Sequence, residues 1–300
     1  MDAPLDGAVA VVTGAGGGLG RALVAELRRR GTTVAASDRD AEALTSLESL
    51  PGTNGGALLI EPLDVSDAQQ VRRYARSLGE RFGAVRLLIN NAGTGLMGPF
   101  AESDPDRYWR VIETNLGGTI NCCHAFLPWL RRAAPAAQIV NVSSLGGLVP
   151  VPFATAYSAS KSAIVGFSQA LRAELAGEVG VTVVCPGLTR TNLARNSDFV
   201  PGWRSYQVVL DRSLRGEAGP VDPWTQVFGP VEADYMAKQI LSAAARNRSI
   251  VVSPRSAAAI AAVCRHFPQL AAAAASVMAR HLLAQLEQAR SRLPGSIHKL

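Results

Sequence analysis

The stretch Val9–Leu27, VAVVTGAGGGLGRALVAEL, constrains this chain more than any other. An apolar run enters a turn holding five glycines and leaves on a helical pattern. The same alternation then repeats. Strands are predicted at Val9–Val12, Thr33–Ser37, Ala57–Leu63, Leu87–Asn90, Gln138–Val142, Val181–Cys185 and Ile250–Ser253. Helices are predicted at Arg21–Arg30, from Asp40 with Leu44, Leu47 and Leu50 on one face, and at Ala68–Phe82, Asp106–Leu116, Gly118–Leu130, Ala156–Ala176 and Glu232–Ala245. Strands that are apolar throughout and separated by helices form a parallel sheet buried on both faces. The expected class is therefore α/β, a doubly wound parallel sheet in three αβα layers.

The rhythm breaks between Thr191 and about Pro230, a stretch rich in Pro, Gly and aromatic residues. Beyond Ser253 an alanine-rich tail, interrupted by Pro268, is expected to add helices, including Ala275–Arg292, with Pro294–Gly295 closing it. The expected organisation is one domain over residues 1–253, with a substrate lobe at 191–230, and a helical extension over 254–300. The tail carries six basic residues against Glu287, nearly all of the +6 net charge, so the body is close to neutral and nucleic acid is not an expected partner. The first residues lack a basic segment followed by a long apolar core, and no apolar run reaches the roughly 18 residues of a spanning helix. A cytoplasmic location is expected. The four cysteines and four histidines show neither disulfide nor metal-ligand spacing, so no metal is expected.

The glycine turn does not fit G-x-G-x-x-G. Gly14 and Gly16 require a glycine at 19 and meet Leu19; Gly16 and Gly18 require one at 21 and meet Arg21. A strand–glycine turn–helix unit still points backbone N–H groups at a pyrophosphate. Asp38 closes the second predicted strand, where a carboxylate can accept both hydroxyls of an adenosine ribose and repel a 2′-phosphate. Further on, Tyr157 and Lys161 stand at i and i+4 and share a helix face. An ammonium near a phenol lowers its pKa and fits it for proton exchange with a carbonyl or alcohol. The strand QIVNVSS ends just before them and offers Ser143 and Ser144.

Together these residues resemble the short-chain dehydrogenase/reductase family, over roughly residues 7–253. TGAGGGLG (Thr13–Gly20) is similar to its T-G-x-x-x-G-x-G turn. LDV (Leu63–Val65), NNAG (Asn90–Gly93), ETNLGG around Asn115, NVSS, YSASK and PGLTRT (Pro186–Thr191) follow in the family's order. The resemblance implies a Rossmann-like fold and a dinucleotide cofactor. It implies catalytic roles for Asn115, Ser144, Tyr157 and Lys161. Of the two serines, Ser144 has the family's spacing of thirteen residues before the tyrosine, and successive strand residues face opposite ways. Asn115 is expected to fix a water in a proton relay to Lys161. Cofactor contacts are implied for Gly14, Gly18, Leu19, Gly20, Asp38, Arg39, Asp64, Val65, Asn91, Ala92, Gly93, Tyr157, Lys161, Pro186, Gly187, Thr189 and Thr191. Gly16 and Gly17 are expected to be spacers.

Asp38, with no basic residue at Gly17, favours NAD; Arg39 leaves NADP open. The expected reaction interconverts a secondary alcohol and a ketone. The expected substrate is small and apolar but bulky, of steroid, terpenoid, polyketide or acyl type. Ser144, Leu145, Phe153, Tyr157 and Trp203 are its expected contacts, and the apolar lobe with Phe199, Trp203, Tyr206, Val208, Val209, Leu210, Trp224 and Phe228 is read either as a lid or as packing on the sheet or a partner subunit. A dinucleotide-binding sensor, or a dehydratase or epimerase of the same fold, stays open as an alternative. A homodimer or homotetramer is implied, through the helices around Asn115–Leu130 and Ala156–Ala176. The tail is expected to pack on the body or a partner subunit. Contact of 256–292 with a membrane surface, through its arginines and Leu282, Leu283 and Leu286, is the less favoured expectation.

Overall fold

The computed structural model describes residues 5–51, 56–191, 197–214 and 229–291. Seven strands form one parallel sheet: β1 (Val9–Thr13), β2 (Thr33–Asp38), β3 (Leu58–Pro62), β4 (Leu87–Asn90), β6 (Gln138–Val142), β7 (Gly180–Pro186) and β9 (Ile250–Ser253). Their order is β3-β2-β1-β4-β6-β7-β9, every neighbour parallel. The strand order reverses between β1 and β4, and ligands of such sheets bind beyond the carboxyl ends at that point.

Alternation along each strand divides the core in two. Ala10 and Val12 of β1 face α1 (Gly18–Arg29) and α8 (Ala233–Ala245), packing with Leu23, Leu27, Met236 and Ile240. Val9 and Val11 face the other way, toward Val71 and Leu78 of α3 (Ala68–Phe82) and Phe126 and Leu130 of α5 (Gly118–Arg131). This is the expected three-layer arrangement. The short α2 (Ala41–Thr45) starts where expected, with the Asp40 carboxylate accepting from Glu42 N and Ala43 N.

Four elements differ from the sequence-based boundaries. Helix α1 begins at Gly18 rather than Arg21, because the last glycines of the turn already adopt helical backbone. The two helices predicted at 106–116 and 118–130 are one continuous run. It comprises α4 (Pro105–Ile112), a π-helical segment Glu113–Gly117 and α5. After Thr191 the chain is not irregular throughout. It forms β8 (Asp198–Phe199), parallel to β5 (Leu96–Met97), then α7 (Arg204–Leu214). The tail forms α9 (Arg255–His266) and α10 (Pro268–Ser291), the latter starting at Pro268 rather than Ala275. Proline fits a first helical turn, where its missing N–H leaves no bond unmade. The expected lobe aromatics Trp224 and Phe228, and the expected closing turn Pro294–Gly295, lie outside the described residues; of Val209 and Leu286 only the backbone is described.

Candidate active site

The carboxyl ends of β1, β2, β4, β6 and β7 open into one cleft of about 720 Å³. One end is made almost entirely of backbone. Gly14 has φ +64, and a Cβ on it would sit 2.7 Å from Ala92 Cα; one on Gly20 would sit 2.1 Å from Gly14 O. Only glycine allows this turn to close against α1 and β4. The Asn91 side chain donates to Thr13 O and Gly14 O at 3.1 and 2.9 Å, tying the end of β4 to the turn. Helix α1 is capped by Gly17, which has no side-chain acceptor, and no acid stands in its first turn. Its free N–H groups are suited to a phosphate.

Asp38 stands at the end of β2. Its carboxylate accepts from Gly16 N at 3.0 Å and Asp40 N at 3.1 Å, which fixes its orientation toward the cleft. Gly16 is thus more than the expected spacer. It donates to Asp38, and a Cβ on it would sit 2.7 Å from Ala43 Cβ. Gly17 has no such constraint, since its nearest neighbour would be 3.6 Å away. Leu19, Arg39, Asp64, Val65, Ala92, Gly93, Pro186, Gly187, Thr189 and Thr191 also line this cleft, as do Gly18, Tyr157 and Lys161. Gly187 is held by its N–H donating to Ser253 O at 2.7 Å. The residues present fit a dinucleotide: a glycine cradle, a helix start without a side-chain cap, and an oriented carboxylate some twenty residues further on.

Asn90, the last residue of β4, and Asn91 just after it face opposite ways. Asn91 faces the turn. Asn90 faces the core, donating to Asn141 Oδ1 at 2.8 Å, and Asn141 donates to Ser168 Oγ at 2.9 Å. That buried chain joins β4, β6 and α6 (Thr155–Glu174) beneath the site.

At the other end Ser144, Tyr157 and Lys161 converge. Tyr157 and Lys161 lie on α6, one turn apart, with Lys161 Nζ 5.6 Å from the tyrosine ring centre. Lys161 Nζ donates to Val142 O at 3.0 Å and is buried, which pushes its pKa down to about 8. Burial also pushes the Tyr157 hydroxyl above its usual range, with the hydrogen bond to Ser144 acting in the opposite sense. Burial of the hydroxyl thus acts against the lowering of its pKa expected from Lys161. Ser144 Oγ accepts from Gly146 N at 3.1 Å. Ser143 points the other way and donates to Lys161 O at 2.7 Å, bracing β6 to α6. Glycines flank the reactive groups: a Cβ on Gly146 would sit 3.4 Å from the Tyr157 ring, and one on Gly93 would sit 3.3 Å from Lys161 Nζ.

Asn115 does not line the cleft. It lies in the π-helical segment, fully buried, and its amide is committed on both sides. Nδ2 donates to Thr94 O at 3.0 Å and Ser160 Oγ at 2.9 Å, while Oδ1 accepts from Thr94 N at 2.8 Å. This locks the loop after β4 to α6 one residue before Lys161, a positioning arrangement.

The far end of the cleft is largely apolar, with Met97, Leu145, Val149, Phe199, Tyr206 and Leu210 along it and Ser197 and Asp198 among them. Phe153 and Trp203, two expected substrate contacts, do not line the cleft. Their rings pack on each other with centres 4.8 Å apart, and Trp203 is buried among Leu96, Phe199 and Tyr206. Packing is thus the reading that fits these two aromatics. The unexpected wall is Met278 and Leu282 of α10, with Ile260 and Ala257 of α9 beside Gly187. Met278 and Leu282 stand at i and i+4, a helix-face pattern visible in the tail, but nothing local says which surface that face covers.

Residues 8–199 match the family model described as short chain dehydrogenase. The protein named Probable oxidoreductase EphD of Mycobacterium tuberculosis is 34% identical over 262 residues, 86% of this chain and 43% of its own length. The chain thus spans less than half the length of that relative. A short-chain dehydrogenase/reductase from Burkholderia phymatum in complex with NAD is similar in structure, with TM-score 0.75, 29% identity, and 89% of this chain and 96% of that chain covered. Another, from Burkholderia cenocepacia in complex with NADP, gives TM-score 0.71 and 29% identity over 91% and 99% of the two chains. The fold agrees with these likenesses, and the chain belongs to the short-chain dehydrogenase/reductase family.

Proposed function

We propose that the protein is an NAD-linked oxidoreductase that interconverts a secondary alcohol and a ketone on a bulky apolar substrate. The observation that carries this reading is the convergence of Ser144, Tyr157 and Lys161 at one end of a cleft whose other end is a glycine cradle with an oriented acid. Gly14, Gly18 and Gly20 with the start of α1 would hold the pyrophosphate, Asp38 the adenosine ribose, and the Pro186–Thr191 turn the nicotinamide end. When bound, the nicotinamide supplies the hydride chemistry and, oxidised, a positive charge.

The chain's own residues do the rest. Ser144 donates to the substrate oxygen and steadies the charge that develops there. Tyr157 gives its hydroxyl proton to that oxygen in reduction and takes it back in oxidation. Buried between Gly93 and Val142 O, Lys161 holds its ammonium close under the tyrosine and within reach of a ribose hydroxyl. Asn115 acts as a positioning residue through Thr94 and Ser160; the expected water relay to Lys161 is part of the same proposal. The apolar lining from Met97 to Leu282 favours a bulky hydrocarbon frame over a polar one.

Two measurements test the reading. Turnover with NADH and NADPH against a panel of bulky ketones is expected for the first cofactor; an NADPH preference of about tenfold would overturn the assignment to Asp38. No turnover with either cofactor, while dinucleotide still binds, would favour a binding protein instead.

A further inference from the structure

Among the described residues ten large apolar side chains are exposed, and five of them, Val263, Phe267, Leu270, Val277 and Leu283, lie on α9 and α10 or at their junction. Phe267 and Leu270 at the corner between the two helices are 61% and 60% exposed. Leu270, Ala274 and Val277 recur at i, i+4 and i+7, one stripe along α10, with Arg280 a turn further on. From Pro254 to Leu286 the sequence contains no Asp or Glu, while Arg255, Arg265 and Arg280 are exposed. Clustered apolar exposure rimmed by charge of one sign marks a contact surface. The opposite face of the same helices is already used: Ile260 and Leu282 are buried against the body.

We propose that the outer face of α9 and α10 docks on an anionic lipid membrane, with the helices lying in the plane of the interface. Apolar side chains on a helix pair with three exposed arginines and no acid before Glu287 match the inner and outer zones of a charged bilayer surface. No helix among the described residues is long and apolar enough to cross a membrane, so the contact is one of lying on the surface. A second copy of the chain suits the face less well. A two-fold contact would set this arginine-bearing face against the identical face of the other copy. Exposed Trp109 on α4 and Ile120 on α5 offer self-association a separate surface. Because Met278 and Leu282 of α10 line the cleft, docking sets the cleft beside the lipid. An apolar compound dissolved in the bilayer then has a short path into it. The docking itself does not depend on the reaction proposed above.

Co-sedimentation of the full chain with vesicles tests this. Phosphatidylcholine vesicles containing about one third phosphatidylglycerol are expected to pellet the protein, and pure phosphatidylcholine vesicles are not. Arg265→Ala with Arg280→Ala is expected to weaken binding roughly tenfold, as is raising salt to about 0.5 M. Phe267→Asp with Leu270→Asp is expected to abolish it. All four side chains are exposed, and circular dichroism checks that each variant folds; if the aspartate pair does not, the arginine pair and the salt series decide. Equal recovery from anionic and neutral vesicles would overturn the proposal. So would light scattering that shows the aspartate pair dissociating an oligomer of the wild type, since a second copy would then occupy the face.

Discussion

The two ends of the cleft are built on opposite principles. The nucleotide end is local: thirty residues from Val9 to Asp38 supply the turn, the helix start and the acid, and their contacts are mostly backbone. The substrate end is assembled from β5, β8, α7, α9 and α10, segments up to nearly two hundred residues apart, and it makes its contacts with side chains. A backbone cradle leaves little room for a side chain at Gly14, Gly16 and Gly20 but says little about the chemistry. A side-chain wall tolerates substitution and sets what is bound. The proposed catalytic residues sit where the two meet, on α6 and just after β6.

That division is broken most sharply at the junction. Tyr157→Phe removes one hydroxyl from the floor and touches nothing in the cradle. Turnover is expected to fall by about 10³-fold or more, with the NADH dissociation constant within about twofold of wild type. Stopped-flow kinetics and fluorescence titration read the two separately. A large loss of NADH affinity would mean that the two ends are not separable.

The cradle itself is tested by a pair of glycines. Gly20→Ala drives a Cβ to 2.1 Å from Gly14 O, whereas Gly17→Ala meets nothing closer than 3.6 Å. The first is expected to cost about 3 kcal/mol of stability and to weaken NADH binding about tenfold. The second is expected to stay within about 1 kcal/mol, the scale of a changed helix cap. Thermal unfolding with and without NADH distinguishes them. Equal effects would show that the turn has more slack than its contacts imply.

This contrast also explains what could be read from sequence. The glycines, Asp38 and the Tyr157/Lys161 pair were legible because each motif is its own structural unit, with spacing fixed by a turn or one helical turn. The sheet followed from apolar runs of strand length. Sequence alone does not separate Trp203 and Phe153 from cleft-lining aromatics, because an aromatic in a wall and an aromatic behind it have the same local pattern. Met278 and Leu282 were missed for a related reason. An i, i+4 apolar pair in an alanine-rich helix fits the body, a partner or a lipid surface equally, and only the tertiary path selects one. The π-helical segment at Asn115 was read as a break between helices, since a single inserted residue shifts the apolar face without interrupting the pattern.

The substrate wall gives the next effect in size. Leu282→Ala removes a buried side chain from the cluster with Phe199, Trp203 and Tyr206. A cost of about 2 kcal/mol is expected, confined to α10 and seen as faster amide exchange along it. On the reading proposed here, KM for bulky ketones rises while kcat and the NADH affinity hold. A change in NADH affinity would mean that α10 supports both ends of the cleft.

The smallest effect separates the two ends by pH. Glu26 of α1 is buried and accepts from Arg29 and Arg30, and their guanidinium groups hold its pKa at about 2, against an ordinary value of 4.5. Its folded pKa lies below its unfolded one, so the folded state binds fewer protons between those values. The stabilisation is fully present above about pH 4.5 and is lost as pH falls toward 2. Both arginines are partly exposed and solvent screens the pair, so about 1 kcal/mol is expected rather than the full shift. Glu26→Gln should therefore lower the unfolding temperature at pH 7 and approach wild type by about pH 3. The extension has no carboxylate from Pro254 to Leu286, and its one acidic side chain, Glu287, comes only in the last turns of α10. Amide exchange followed from pH 5 downward should loosen α1 before α10, after correction for the intrinsic pH dependence of exchange. The reverse order would tie the stability of the extension to carboxylates on the body.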